Sequence, residues 1–226
     1  MATKAMLAEL SQGFARDTGV HVKLESAGGV DVAKRVQSGE AFDLVFLAAD
    51  AIARLQNAGY LQPGSRCDWV DSPVAVAVAS NSVVPAIDTE AGLRAAVLAA
   101  PSLSYSTGPS GTYLEQLFTR WGVMDDIQPR IVVPPPGTPV ALLVAQGRAA
   151  LGFQQRSELM NQPGITVIGD LPVEVACITR FSAGIGLACS QDQARYELAR
   201  GFLHYLASAQ VRALKQQHGM DWADHV

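Results

Sequence analysis

Ser104-Tyr105-Ser106-Thr107-Gly108-Pro109-Ser110-Gly111-Thr112-Tyr113-Leu114-Glu115-Gln116-Leu117-Phe118 is the stretch on which the reading of the chain turns. Ser102 to Tyr105 predicts the end of a strand and Thr107 to Gly111 a tight polar turn. From Thr112 a helix is expected, because Tyr113, Leu117, Phe118 and Trp121 recur at helical spacing. The turn therefore delivers hydroxyls and backbone N–H groups to one helix start. The first-turn N–H groups of a helix lack intrahelical partners and carry partial positive charge, so an anion is held there without a formal cation. Gly108 and Gly111 allow close backbone approach and Pro109 stiffens the loop. The same residues also suit an ordinary capped strand-to-helix turn. Repetition of the design elsewhere is what favours a ligand.

Two further loops repeat it. Ser26-Ala27-Gly28-Gly29 follows the alternating run Val20 to Glu25, read as a strand, and feeds a helix beginning near Asp31. Pro134-Pro135-Pro136-Gly137-Thr138-Pro139 follows Ile127 to Val133, also read as a strand, and introduces a helix from Val140 to Gln146. A rigid proline-rich connector would look the same. Between them, Phe42 to Ala48 and Pro73 to Ala79 are almost continuously apolar, as in strands covered on both faces, and Asp50 is placed to cap the helix after the first of them. Ala149 to Phe153 is a short strand ending in Gln154-Gln155-Arg156. Later strands are expected at Ile165 to Ile168, Val173 to Thr179 and Phe181 to Ser190, then helices at Gln191 to Ala207 and Ala209 to His218. Strand and helix alternate throughout, so the expected class is α/β with doubly wound sheets, whose ligands collect at the carboxyl ends of strands.

Composition narrows the function. The 226 residues are 49% hydrophobic and 17% charged, enough for a full core and too apolar for a disordered chain. A net charge of −4 without a Lys/Arg run argues against nucleic acid as partner. No apolar run reaches the roughly 18 residues of a membrane span. Met1 to Leu10 opens on a helical pattern rather than a signal peptide, as expected of a mature form or of a cytoplasmic protein. Cys67, Cys177 and Cys189 give neither a disulfide framework nor a zinc signature; the latter two read as small buried hydrophobes. No metal site or cofactor is expected. The phosphate-loop lysine, the dinucleotide fingerprint and HExxH are missing.

The order of these pieces resembles the periplasmic solute-binding proteins of ABC transporters, in particular the molybdate-binding protein and its relatives. The matching residues are Asp17 to Val22, Ser26 to Gly29, Phe42 to Asp50, Gly108 to Tyr113, Ala150 to Phe153 and the helix Glu197 to Leu206. The resemblance implies a type II periplasmic binding protein fold: two doubly wound α/β lobes joined by two crossover strands, closing on a ligand in the cleft between them. Residues 1–79 and 181–226 would form the first lobe, and 80–180 the inserted second. It also implies a monomer that captures a small anion, an oxyanion or organic carboxylate, for an ABC-transporter permease outside the cytoplasm. The ligand-binding residues expected are Thr3, Gly28, Gly29, Ser110, Gly111, Thr112, Gly137, Thr138 and Gln155.

Three departures from the molybdate binder stand out. Gly28 and Gly29 replace serines, Gln155 replaces a tyrosine near the hinge, and Gly137 replaces a valine, leaving more room and favouring a larger or organic anion. The family's first strand has no counterpart, and Met1 to Thr3 fall where its following loop should be. The same group also resembles aconitate isomerase, so an isomerase acting on trans- and cis-aconitate is the alternative, with a cytoplasmic ligand-sensing domain as a third. An isomerase needs a base at the substrate carbon. The loops hold no His and no acid but Asp31, which a helix cap explains; Glu115 lies a turn into its helix and Tyr113 is nearer, though a phenol is a weak base unless perturbed. Arg156 and Arg180 could clamp carboxylates, or simply form surface ion pairs.

Overall fold

The computed structural model describes residues 2–135 and 137–223; Met1, Pro136 and His225 fall outside them. Helix α1 (Lys4–Thr18) opens the chain, followed by α2 (Gly29–Gln37), strand β1 (Leu44–Ala48), α3 (Ala49–Asn57) and the long strand β2 (Cys67–Ala79). Next come α4 (Glu90–Ala99), β3 (Leu103–Tyr105), α5 (Pro109–Arg120), α6 (Met124–Ile127), α7 (Val140–Ala145), β4 (Leu151–Gln155), α8 (Arg156–Leu159) and β5 (Ile165–Asp170). The chain then runs through β6 (Ile178–Ile185), α9 (Leu187–Ser190), α10 (Gln193–Leu206), α11 (Arg212–Gln217) and β7 (Asp221–Trp222). Two compact units result: Met1–Asp71 with Thr179–Val226, and Ser72–Ile178. The chain enters the second unit inside β2 and leaves it at the start of β6.

In the first unit β1 pairs antiparallel with β6, from Leu44 opposite Ile185 to Ala48 opposite Phe181. Alternate side chains of β1 serve two cores, because successive residues of a strand face opposite ways. Leu44 and Phe46 join Met6, Leu10, Phe14, Phe202 and Leu206 of α1 and α10. Val45 and Leu47 join Val36, Ile52 and Leu55 of α2 and α3. That double coverage is why the strand reads as a continuous apolar run. β7 completes the unit by pairing with the start of β2, Val70 opposite Trp222.

In the second unit β2 is flanked by two antiparallel neighbours, β4 (Val74 opposite Gln155) and β5 (Ala75 opposite Asp170). β3 lies parallel to β4, Tyr105 opposite Phe153, and Ile131 bridges the far side of β3. One face carries Val74, Val76, Leu103, Tyr105 and Phe153 against Leu93, Val97, Leu114, Leu117 and Phe118 of α4 and α5. On the other, Ala75 and Ala77 meet Ala141 and Leu159 of α7 and α8. Small residues matter there: a Cβ at Gly152 would overlap the Val144 and Val140 methyls, so glycine is what lets α7 lie flat on β4.

Four expected strands are corrected. Residues 20–28 take up no regular secondary structure and form no ladder among the described residues; Val20 and Val22 half-bury against the α1–α10 core while His21, Lys23 and Leu24 stay exposed. Alternation records one packable face and says nothing of a hydrogen-bonding neighbour. Ile127 ends α6, Gln128–Arg130 is a 3₁₀ turn around Pro129, and only Ile131 bridges β3. Val173–Val175 is likewise a 3₁₀ turn, started by Pro172. Beyond Ile185 the run Leu187–Ser190 winds into α9 after Gly186. Two caps also move. Gly28 is the N-cap of α2, with Asp31 in its first turn, and α3 starts at Ala49, which puts Asp50 inside the helix paired with Arg54 at 2.6 Å. The cysteines are free; Cys189 is buried in α9 rather than in a strand, and Cys177 is half-buried.

Candidate functional site

The second unit gathers six of the expected residues at one edge of its sheet. Because β3 and β4 are parallel, their carboxyl ends lie side by side, and Ser106 to Thr112 follow one while Gln155 ends the other. The proline loop reaches the same edge. Ile131 runs parallel to Leu103, Val132 N–H donates to the Leu103 carbonyl at 2.8 Å, and Ser104 Oγ donates back to the Val132 carbonyl at 2.7 Å. Gly137 and Thr138 therefore leave from the same end of the sheet.

The start of α5 is built as the quoted stretch implied. Gly108 is its extended N-cap, Pro109 has no N–H to satisfy, and no side chain caps the helix. Thr112 N–H already reaches the Gly108 carbonyl at 3.1 Å, which leaves the N–H groups of Ser110 and Gly111 as those without an intrahelical acceptor. Ser110 and Ser106 share a hydroxyl–hydroxyl hydrogen bond of 2.8 Å. One hydroxyl spends its proton on the other, which keeps a proton to donate outward. A Cβ at Gly111 would overlap the Ser106 carbonyl, so only glycine lets α5 start this close to β3. Ser106 lies inside the stretch that reads as functional, yet nothing in its spacing marks it. Its role follows from the Ser110 contact.

The two glutamines work on opposite faces. Gln155, two residues after Phe153, shares its face with α5 and is 7% exposed. Gln154 points the other way, and its Oε1 accepts the Val140 N–H at 3.1 Å. Thr138 N–H is bonded to the Pro135 carbonyl at 2.9 Å. With the Thr138 and Val140 N–H groups committed, what Thr138 itself can offer a ligand is its hydroxyl. The charged candidates are engaged as well: Arg156 pairs with Asp170 at 2.7 Å, and Arg180, in the first unit, grips Asp71 through two 2.8 Å hydrogen bonds. Tyr113 is no base, since its hydroxyl donates to the Val175 carbonyl at 3.0 Å and burial raises its pKa. Tyr105, buried and beside Glu115, is pushed up to about 12.

In the first unit Gly28 and Gly29 start α2, where the Val32 N–H to Gly28 carbonyl bond closes the first turn and no side chain caps it. A Cβ at Gly28 would lie 3.2 Å from Asp31 Oδ2, so this carboxylate curls back toward the helix start. Thr3 is the N-cap of α1, a different helix, and makes no side-chain cap bond.

Residues 1–221 match the model of the bacterial extracellular solute-binding protein family. The chain belongs to that family. It is 30% identical over 218 residues, 94% of its own length and 81% of the other's, to a Pseudomonas protein named aconitate isomerase. The periplasmic molybdate-binding protein of Azotobacter vinelandii superposes with a TM-score of 0.75 at 22% identity, covering 99% of this chain and 96% of that one. A tungstate-binding protein of Desulfovibrio alaskensis does so with a TM-score of 0.70 at 14% identity, covering 97% and 93%. The fold of this solute-binding protein is thus the type II periplasmic binding protein fold that its sequence implied. No helix among the described residues is long and apolar enough to cross a membrane.

Proposed function

We propose that this solute-binding protein captures a small anion, an oxyanion or an organic carboxylate, outside the cytoplasm for an ABC transporter. The observation that carries the proposal is the start of α5. There two backbone N–H groups and the paired hydroxyls of Ser106 and Ser110 converge without a basic side chain. Ser110, Gly111 and Thr112 are the principal donors, with Thr138 and Gln155 beside them; Gly28 and Gly29 at α2, Thr3 at α1 and Gly137 complete the ligand-binding set. Neutral donors suit a ligand that must be released again, because binding is not locked by a desolvated ion pair.

The test is a thermal-shift panel of molybdate, tungstate, sulfate, phosphate, citrate and both aconitates. A ligand at 100 times its dissociation constant adds about 2.7 kcal/mol of stability. A flat panel would remove the proposal.

The second reading, an isomerase on the same scaffold, is favoured by the 30% identity to a protein named for that activity. Incubation with trans-aconitate and detection of cis-aconitate by NMR separates the two.

A further inference from the structure

Buried polar side chains of the second unit are engaged at several points: Ser104 with the Val132 carbonyl, Ser110 with Ser106, Gln154 with the Val140 N–H. Two hydroxyls, those of Ser72 and Ser157, are buried with no hydrogen-bond partner among the described residues. Ser72 is the more enclosed, at 0% exposed, and the strand that carries it fixes the way it points. A hydroxyl shut away from water is normally paired, so one that is not calls for a partner from outside.

The register shows where that partner would lie. Ser72 is two residues before Val74 on β2, so the two share a face, and Val74 stands opposite Gln155. That face is the one α5 covers. Val74 joins Tyr105 and Leu114 in one core, and the Tyr113 hydroxyl reaches the Val175 carbonyl at 3.0 Å, two residues from the Cys177 carbonyl that takes the Val74 N–H at 2.8 Å. β2 runs antiparallel to β4, so the step back from Val74 to Ser72 leads toward the carboxyl end of β4, the edge at which α5 starts. Ser72 and Gln155 are then diagonal neighbours, about 7–8 Å apart and within reach of a long side chain. Ser72, Ser110 and Gln155, at 0%, 4% and 7% exposed, thus share one face, one edge and one dry setting.

We propose that Ser72 is a further ligand-binding residue, whose hydroxyl donates to an oxygen of the anion held at the start of α5. The inference rests on the small-anion reading. Ser72 is also held ready for the task. Asp71 before it is gripped by Arg180 through two 2.8 Å hydrogen bonds, and Pro73 after it has a fixed φ, so little freedom remains to be lost on binding. A neutral donor in a water-poor setting is worth more to an anion than the same donor in water.

The experiment compares the full chain with Ser72→Ala by titration calorimetry against citrate, trans-aconitate, sulfate and molybdate, with thermal unfolding of the ligand-free proteins alongside. The Kd for the anion that wild type binds best should rise about 10- to 150-fold, the range for a hydrogen bond to a charged group. The ligand-free midpoint should stay level or rise, because the hydroxyl removed is bonded to nothing in the fold. Ser72→Cys, similar in size and a weak donor, should fall between the two in affinity. A Ser72→Ala chain that binds within about threefold of wild type overturns the assignment and leaves the small-anion reading standing. One whose ligand-free midpoint drops by several degrees, or that does not fold, also overturns it, since the hydroxyl then serves the fold. Wild-type protein that binds none of the four anions removes the small-anion reading, and this assignment with it.

Discussion

Replacing Lys215 with Met should change how stability depends on pH, in a direction fixed by the surroundings of the lysine. Lys215 is 0% exposed, its Nζ donates to the Trp69 carbonyl at 2.5 Å, and it sits 4.4 Å from the centre of the Trp222 ring and 5.7 Å from that of Trp69. Burial, helped by the nearby Arg212 charge and opposed by Cys67, lowers its pKa from 10.5 to about 8. Below pH 8 folded and unfolded chains both hold the proton. Between about 8 and 10.5 the unfolded chain holds it and the folded chain does not, so folding is favoured increasingly as pH rises through that window. A fall from 10.5 to about 8, at 1.36 kcal/mol per pH unit, amounts to about 3 kcal/mol. Cys177 and Cys189, pushed up to about 11 by burial, act in the opposite direction, since their stabilisation is lost as pH rises past the ordinary thiol value. They are common to both proteins and cancel in the comparison. Urea denaturation followed by tryptophan fluorescence at pH 7.5, 8.5, 9.5 and 10.5 measures the difference. Wild type should gain about 3 kcal/mol relative to Lys215→Met across the series. A difference that stays flat with pH would refute the account of a cation held at a cost between two indoles.

Three other outcomes concern the site. Gly111→Ala forces a methyl onto the Ser106 carbonyl, so it should destabilise the second unit by about 1–3 kcal/mol and abolish binding of whichever panel anion binds best, read by denaturation and calorimetry. Ser110→Ala leaves the backbone in place and removes one hydroxyl donor; a hydrogen bond to a charged ligand is worth about 1.5–3 kcal/mol, so calorimetry should find the Kd raised about 10- to 150-fold. Tyr113→Phe costs about 1 kcal/mol of stability through the lost bond to Val175, yet should leave any aconitate conversion within about threefold, since its phenol is committed to the fold.

Much of this was legible in the sequence because single elements announce themselves. Helix α5 and the apolar runs of β1 and β2 follow from periodicity, and the hydroxyl-rich turn before α5 follows from composition. Residues 20–25, 127–133 and 173–179 misled because each has the right side chains for a strand while lacking a ladder partner or carrying a proline nearby. The site divides along the same line. Ser110 and Gly111 were visible as a motif, but the pairing of Ser106 with Ser110 is a contact. Such a contact is a property of the folded surroundings, which no local pattern encodes.

The division of the chain also bears on its synthesis. The second unit is one uninterrupted stretch, Ser72–Ile178, so its sheet and the α5 start can assemble as soon as that stretch leaves the ribosome. The first cannot: Phe14 of α1 finishes against Phe202 of α10, ring centres 5.1 Å apart, and must wait for almost the entire polypeptide. Until then Met6, Leu10 and Phe14 are uncovered. The nascent protein thus carries a finished second unit while the first is still half-made and apolar, and that interval is when a chaperone is expected to matter most.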